Sequence, residues 1–295
     1  MDEYAIGVLT NIGLFSFIAA SAYLLLVAGE LSFGQQAFFG VGAYAAGICT
    51  AMLGWPLPLA ALAAMALGAL AAALVGLPTL RLRGLYFAMA TLAAAEMLRI
   101  LFELFHWQLE IGGETVGPDG TQGFRGIRWV FERGVEPADF LALVWALLAV
   151  VAIAIHLIEK SRLGATVRAL GEDPELAGML GIDVLRLKLG VAAAAGALAA
   201  LGGALFAHHN TYIEPRNFDI MLGVHSLAYA LIGGLGTVFG PLLGVALDLG
   251  LLEGTRFFHG YRMIVFGGLV ALLLIWRPRG LLDERVVHWL KTRFS

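Results

Sequence analysis

The sequence predicts an all-α protein, a polytopic bundle of transmembrane helices with about eight to nine spans or half-spans. Of its 295 residues, 60% are hydrophobic and only 14% are charged, whereas about a quarter of the residues in a soluble domain carry a charge. Several uninterrupted apolar runs also reach the roughly 20 residues that a helix needs to cross a hydrocarbon core. We therefore expect residues 1–295 to form one transmembrane domain.

The apolar segments alternate with short polar breaks along the whole chain. We place them at about residues 5–28, 29–53, 59–78, 85–105, 140–158, 189–207, 220–252 and 261–276. Before the first segment the chain is acidic and lacks the basic stretch of a secretory signal, so we expect this segment to be retained. A run of glycines at 233–236 divides the segment 220–252 into two spans or half-spans.

Lysine and arginine are distributed unequally between the connections. The turn at 79–83, the polar segment 159–188 and the tail at 277–295 hold 12 of these residues, whereas the connections 106–139, 208–219 and 253–262 on the opposite side hold 6. Because cytoplasmic loops are enriched in positive charge, we expect the first set to be cytoplasmic. Nine crossings would then place the N-terminus outside and the C-terminus inside.

The segment 159–188 is polar and contains a predicted short helix. Asp173 is suited to the N-cap, Pro174 to the first helical position and Glu175 to the first turn, and Gly181 is a plausible C-terminal stop. The apolar side chains at helical spacing between these ends are Leu176, Met179 and Leu180. A short amphipathic helix on a membrane face has this pattern, and either a solvated loop or a docking site for a partner accounts for it.

Few polar side chains lie within the apolar segments. Glu96 and Arg99 are neighbours on one helical face. They either form a self-satisfied pair or interface anchor, or have a substrate or gating role, because ionisable groups in a bilayer are costly and often functional. Asp248, alone in an apolar run, is expected to pair with a neighbouring helix. Gln35 and Gln36 either bond a polar ligand or belong to a helix-entry turn.

Glycines recur every four residues near the end of the segment 220–252. Gly236, Gly240 and Gly244 would share one helical face, which is typical of tight packing between helices. Pro241 within this pattern indicates a helix break or a helix start near residue 240. The alternative is an unwound element that lines a pathway through the bundle.

Several chemical classes find no support in the sequence. There is no G-x-x-x-x-G-K-[ST] sequence, so energy from nucleotide hydrolysis would have to come from another subunit. Neither H-E-x-x-H nor G-x-S-x-G is present, which places an intramembrane enzyme last among the alternatives. Cys49 is the single cysteine, and His208-His209 has no third ligand at metal spacing. We expect no cofactor, no metal and no nucleic acid partner.

Five motifs in order resemble the LivM-type permease of branched-chain amino acid ABC importers. They are LSFGQQAFFGVGAYAAG at 31–47, LRLRGLYFAMATLAAAEMLR at 80–99, SRLGATVRALGEDPELAGMLGIDVLRLKL at 161–189, GGLGTVFGPLLG at 233–244 and RPRGLL at 277–282. Glu175, Ala177 and Gly181 match the spacing of the Glu-Ala-Ala-x-x-x-Gly loop that docks on the ATPase in such importers, whereas Leu176 replaces the middle alanine. The resemblance implies that 159–188 is a cytoplasmic coupling loop.

The resemblance also implies partners and a place in the cell. It predicts a heterodimer with a second permease subunit, two ATP-binding-cassette ATPase subunits and an extracytoplasmic substrate-binding protein, in the inner or plasma membrane of a bacterium or archaeon. Leucine, isoleucine, valine or similar small amphipathic solutes would be the substrates. The alternative is a self-contained secondary transporter or channel, a class that would show broken segments and a buried ion-coupling carboxylate.

Two sets of site residues follow from these interpretations. The ATPase-coupling set consists of Arg168, Asp173, Glu175, Leu176, Ala177, Met179, Leu180 and Gly181. The candidates for the translocation path are Gln35, Gln36, Tyr44, Glu96, Gly236 and Gly240.

Overall fold

The computed structural model describes residues 3–111 and 113–251, together with positions 267–268, 271–272, 275 and 280–282. Its helices in this part are α1 (Glu3–Val27), α2 (Gln35–Gly47), α3 (Leu57–Thr79), α4 (Leu85–Leu104), α5 (Trp129–Glu132), α6 (Pro137–Lys160), α7 (Arg162–Glu172), α8 (Pro174–Met179), α9 (Val184–Asn210), α10 (Ile220–Gly233) and α11 (Phe239–Val245). Five of them, α1, α3, α4, α6 and α9, are long and apolar enough to cross a membrane. The all-α, multi-pass prediction is confirmed, and the predicted segment 261–276 lies largely outside the described residues.

Helices α1, α2 and α9 form the centre of the bundle. Helix α9 packs against α1, α2 and α3, and the apolar faces of α1 and α9 are mostly buried, whereas α3, α4 and α6 lie at the periphery. The close approach depends on small residues, because a Cβ at Gly42 of α2 would overlap the backbone of Ala200 in α9. Small residues at a helix interface let the two backbones approach closely. Such packing matters in a bilayer, where apolar burial alone gives little driving force for the association of helices.

Helix α2 is shorter than its neighbours because the chain enters it through non-helical backbone at residues 28–34. The helix continues as a π-helical turn at Ile48–Met52. Twelve of its thirteen residues are buried. Irregular backbone within a membrane protein is tolerated where other parts of the protein cover it. Here the hydroxyl of Thr91 in α4 accepts a hydrogen bond from the amide of Phe33 at 3.2 Å.

The segment 220–252 forms two short helices, as the glycine run predicts. Helix α10 is capped by Asp219, which accepts a hydrogen bond from the amide of Leu222 at 3.1 Å, and α11 passes into a π-helical turn at Ala246–Leu251. The predicted face of three glycines is wrong at its first member, because Gly236 lies in the turn before α11. Gly240 and Gly244 do pack tightly, since a Cβ at either position would overlap backbone of α10 or of the residue that follows it.

A small antiparallel sheet closes one end of the bundle, a feature that the all-α prediction lacks. Its strands are β1 (Leu109–Ile111), β2 (Glu114–Pro118), β3 (Phe124–Arg125) and β4 (Tyr212–Ile213), in that order across the sheet. Strand β4 follows α9, so its pairing with β3 places the connection after α9 on the same side as the loop 106–139. Both were predicted to be external, and the structure confirms that they share one side.

The polar segment 159–188 contains more helix than the sequence predicts. Helix α7 precedes the predicted short helix α8, and α9 already begins at Val184, where Asp183 caps it. Lys188 therefore belongs to the first turns of a long helix, where it is buried beside Glu30 rather than solvated in a loop.

Candidate functional site

Helix α8 is held at both ends by the residues that the sequence predicts. The side chain of Asp173 accepts hydrogen bonds from the amides of Glu175 and Leu176, each at 3.0 Å. Gly181 has a φ of 83°, and the amide of the next residue donates to the carbonyl of Ala177 at 3.2 Å. This is a Schellman-type stop, which requires a left-handed residue and favours glycine. The predictions for both ends of the helix are confirmed.

The apolar residues of α8 separate into an inward and an outward set. Ala177 is buried at the junction with α9, near Val184, which would lie 3.8 Å from a Cβ at Gly178. The outward set is largely exposed, at 55% for Leu176, 84% for Met179 and 73% for Leu180. Three contiguous exposed apolar side chains on a rigid, capped helix are typical of a surface that another protein covers.

Charged contacts attach α8 to the adjacent turn between α3 and α4. Arg83 and Glu175 form an ion pair of 2.9 Å in which both side chains are mostly exposed. Such an exposed pair contributes little to stability, so Glu175 can exchange this partner for one on a docking protein. Beneath α8 lies a cavity of about 640 Å³, which borders the buried pair formed by Glu30 and Lys188.

Side chains from α6 and α7 contact the turn between α10 and α11. Arg168 of α7 donates to the carbonyl of Gly236 at 3.5 Å. Glu159, at the end of α6, accepts hydrogen bonds from the hydroxyl of Tyr23 and from the amide of Val238, the latter at 3.1 Å. The bond from Arg168 therefore joins α7 to this turn. The segment 159–179, which contains the end of α6 together with α7 and α8, is thus connected to the turn between α10 and α11.

The two glutamines at the start of α2 are fully buried, and their amides are incompletely satisfied. The hydroxyl of Ser21 donates to Gln35, whereas Gln35 Nε2 and Gln36 Oε1 have no hydrogen-bond partner within the described part of the chain. Gln36 packs against Gly223 of α10, where a Cβ would overlap its amide. Buried amide groups without a hydrogen-bond partner are uncommon. The start of α2, where it meets α10, therefore retains one donor and one acceptor that no described group uses.

The remaining path candidates are not brought together with the glutamines. Tyr44 stacks on Phe102 with ring centroids 4.6 Å apart. Glu96 bonds Arg99 at 2.6 Å, and Arg99 also bonds Glu103 on the same helix, so this group satisfies itself. Gly236 and Gly240 serve the α10–α11 turn and its packing.

The histidine pair and the buried carboxylate have structural partners. His208 contacts Thr50 Oγ1 at 2.9 Å, and His209 stacks on Phe140. Within the described ranges, no group of three candidate ligands could hold a metal ion. Asp248 accepts a hydrogen bond of 2.7 Å from the hydroxyl of Tyr229 in α10, which confirms that it pairs with a neighbouring helix.

Comparison with known proteins gives consistent matches along the chain. A family model described as "Branched-chain amino acid transport system / permease component" matches residues 4–276. The high-affinity branched-chain amino acid transport system permease protein LivM of Salmonella typhimurium is 32% identical over 283 residues, which cover 87% of this chain and 64% of that protein. LivM of Escherichia coli K12 matches to the same extent.

A shorter match extends to a second kind of permease protein. LivH of Escherichia coli K12, also a high-affinity branched-chain amino acid transport system permease protein, is 32% identical over 152 residues, or 50% of this chain and 48% of that protein. The chain spans about 64% of the length of the LivM relatives. No solved structure matches the chain.

Proposed function

The chain belongs to the family of branched-chain amino acid transport system permease components, and from this premise we propose that it is a transmembrane permease subunit of an ATP-binding-cassette importer. It would move leucine, isoleucine, valine or similar small amphipathic solutes across the inner membrane of a bacterium. Its proposed partners are a second permease subunit, two ATPase subunits and an extracytoplasmic binding protein.

The outward face of α8 carries this proposal. A helix of six residues is too short to be stable alone and depends on its caps and on packing, yet its larger apolar side chains are exposed and only Ala177 is buried. Docking in a groove of an ATPase subunit would bury Leu176, Met179 and Leu180. The face lies on the side of the molecule that holds the excess of lysine and arginine, which is the side expected to meet cytoplasmic proteins.

The contacts around α8 supply a route from ATPase movement to the transport path. Displacement of α8 and α7 would shift Arg168, which bonds the carbonyl of Gly236. The end of α6 would move with them and carry Glu159, which bonds the amide of Val238. The turn between α10 and α11 would then change position, and α10 contacts the buried Gln36 of α2. The permease would hydrolyse no ATP itself.

The experiment compares charged substitutions on two exposed apolar side chains. Met179→Asp should weaken copurification of the proposed ATPase subunits by at least about tenfold, because burial of a methionine is worth about 1.5–3 kcal/mol. Phe131→Asp is the matched control, since Phe131 is 72% exposed in the loop predicted to be external. The control should retain the ATPases and ATP-dependent uptake of leucine.

Two results would contradict the proposal. Retention of the ATPases and of uptake by Met179→Asp would remove α8 from the docking surface. Leucine uptake that follows an ion gradient in vesicles without ATPase subunits would instead support a self-contained secondary transporter.

A further inference from the structure

A cavity of about 750 Å³ opens between α1, α9, α10 and the π-helical turn after α11. Its rim is formed by the connection that follows α9, on the side of the molecule that carries the small sheet. A volume of this size lies within the range of small-molecule sites in proteins, roughly 300–1,000 Å³. None of the candidate path residues predicted from the sequence is among its described lining residues.

Part of the cavity lining is apolar. Phe15 of α1 and Phe206 of α9 contact each other with ring centroids 6.1 Å apart, and Leu222 and Leu249 extend this surface. An aliphatic side chain of a solute could rest here, because rings and leucines offer contact area without a polar group to desolvate. A hydrated inorganic ion would gain no favourable contact from this apolar surface.

Other lining residues are polar, and those with a fixed charge are all negative. They include the carboxylates of Glu214, Asp219 and Asp248, and neither lysine nor arginine occurs among the described lining residues. Asn11 and Asn217 add amide groups that can donate hydrogen bonds. The cavity therefore combines a site for a cationic group, donors for an anionic group and an apolar surface, which is the pattern that an amphipathic zwitterion requires.

Asp248 is the deepest of the three carboxylates. It is 5% exposed and accepts the hydroxyl hydrogen of Tyr229 through one oxygen. It lies in a π-helical turn, a local distortion that is frequent at functional sites. A carboxylate within an apolar helix is costly in a bilayer and is therefore a functional candidate.

We propose that this cavity is the outward-facing substrate subsite of the permease, and that it binds an α-amino acid with an aliphatic side chain. The ammonium group contacts Asp248, the amides of Asn11 and Asn217 donate to the carboxylate, and the side chain packs on Phe15 and Phe206. This assignment rests on the proposed function, since it names the site at which the transported solute enters the permease.

The test is protection of a single cysteine from a maleimide, measured on the full transporter complex in membranes. Met221→Cys, in a Cys49→Ala background, places a thiol on the cavity lining, where Met221 is 47% exposed. Thr121→Cys is the matched control on the same side of the molecule but outside the cavity. Millimolar L-leucine should slow labelling at Met221→Cys and leave labelling at Thr121→Cys unchanged. The hydroxy acid 2-hydroxy-4-methylpentanoate, which lacks the ammonium group, should protect far less.

The role of the carboxylate is tested by adding Asp248→Asn to the reporter. The leucine concentration that gives half-protection should rise at least about tenfold, since loss of one charge-assisted bond has an effect of that order. Glu214→Gln, at the more accessible rim, is the second variant if Asp248→Asn does not assemble, and it should also raise this concentration. Absence of protection by leucine, or equal protection by the hydroxy acid, overturns the subsite even if the complex transports leucine. Failure of the wild-type complex to take up any branched-chain amino acid counts instead against the proposed function.

Discussion

At the residue scale, Glu30 and Lys188 form a buried ion pair between the connection after α1 and the first turns of α9. Their residues are only 4% and 8% exposed. Two charges withdrawn from water tolerate burial only because they neutralise each other. The sequence offers no local signal for this pair, because its members lie 158 positions apart and Lys188 is indistinguishable from the other basic residues of a cytoplasmic loop.

The pair predicts a non-additive effect on stability. Lys188→Met should destabilise the protein by about 3–5 kcal/mol, because it leaves the carboxylate of Glu30 buried and uncompensated. Glu30→Gln should have a similar effect through the orphaned ammonium group. The double variant should be less destabilised than the sum of the single variants, as measured by thermal unfolding of the purified protein in detergent. Strict additivity would show that the two groups act independently.

At the element scale, the termini of α8 are predictable, whereas much of its surroundings is not. Asp173, Pro174 and Gly181 act through their immediate neighbours, so their roles can be read from local sequence. Helix α7 was missed because its polar composition resembles that of a solvated loop. Strand β4 was missed because it pairs with β3 across a long stretch of chain, which leaves no trace in a local pattern. Strands β1, β2 and β3 were missed because, at 3, 5 and 2 residues, they are too short to show an alternating pattern.

Gly181 provides a test of whether the shape of α8 matters for coupling. A Cβ at this position would meet nothing within 4 Å, so substitution acts on the backbone and not through a clash. Gly181→Val should therefore disfavour the left-handed stop by about 1–2 kcal/mol and lower leucine uptake while the permease remains in the membrane. Gly181→Asn is the control, because asparagine tolerates the left-handed conformation, and it should retain most of the uptake. The measurement is ATP hydrolysis and leucine uptake in parallel, in reconstituted complexes. Normal uptake by Gly181→Val would show that the left-handed end of α8 is not required to couple hydrolysis to uptake.

At the scale of the whole molecule, the contacts divide the connections between two ends of the bundle. The sheet joins the loop 106–139 to the connection after α9. At the other end, Arg83 contacts Glu175 and Glu159 contacts Val238. The apolar segments and their alternation were predictable because membrane crossing requires long apolar runs. The lining of the proposed subsite was not predictable, because residues such as Asn11 and Asn217 come together only when separate parts of the chain place them around one cavity.

The side on which each end lies follows from charge and is open to a direct measurement. The connections 79–83 and 159–188 at the end with α8 hold 7 lysines and arginines, against 4 in the connections 106–139 and 208–219, so this end should face the cytoplasm. Thr121→Cys and Ala169→Cys, each exposed and each introduced into a Cys49→Ala background, report the two ends. Cys49 itself is buried among alanines, so its replacement should be tolerated.

A membrane-impermeant maleimide applied to intact cells should label Thr121→Cys at once and Ala169→Cys only after permeabilisation. Ala169 is preferable to Ser161 as a reporter, because the side chain of Ser161 caps α7 and its loss would disturb the helix. Asn217→Cys should be labelled from the same side as Thr121→Cys, because the pairing of β3 with β4 holds their loops on one side. The opposite result is labelling of Ala169→Cys in intact cells and labelling of Thr121→Cys and Asn217→Cys only after permeabilisation. The bundle would then be inverted, the cavity would open to the cytoplasm, and α8 would face away from any ATPase. Labelling of Thr121→Cys and Asn217→Cys from opposite sides would contradict the sheet itself.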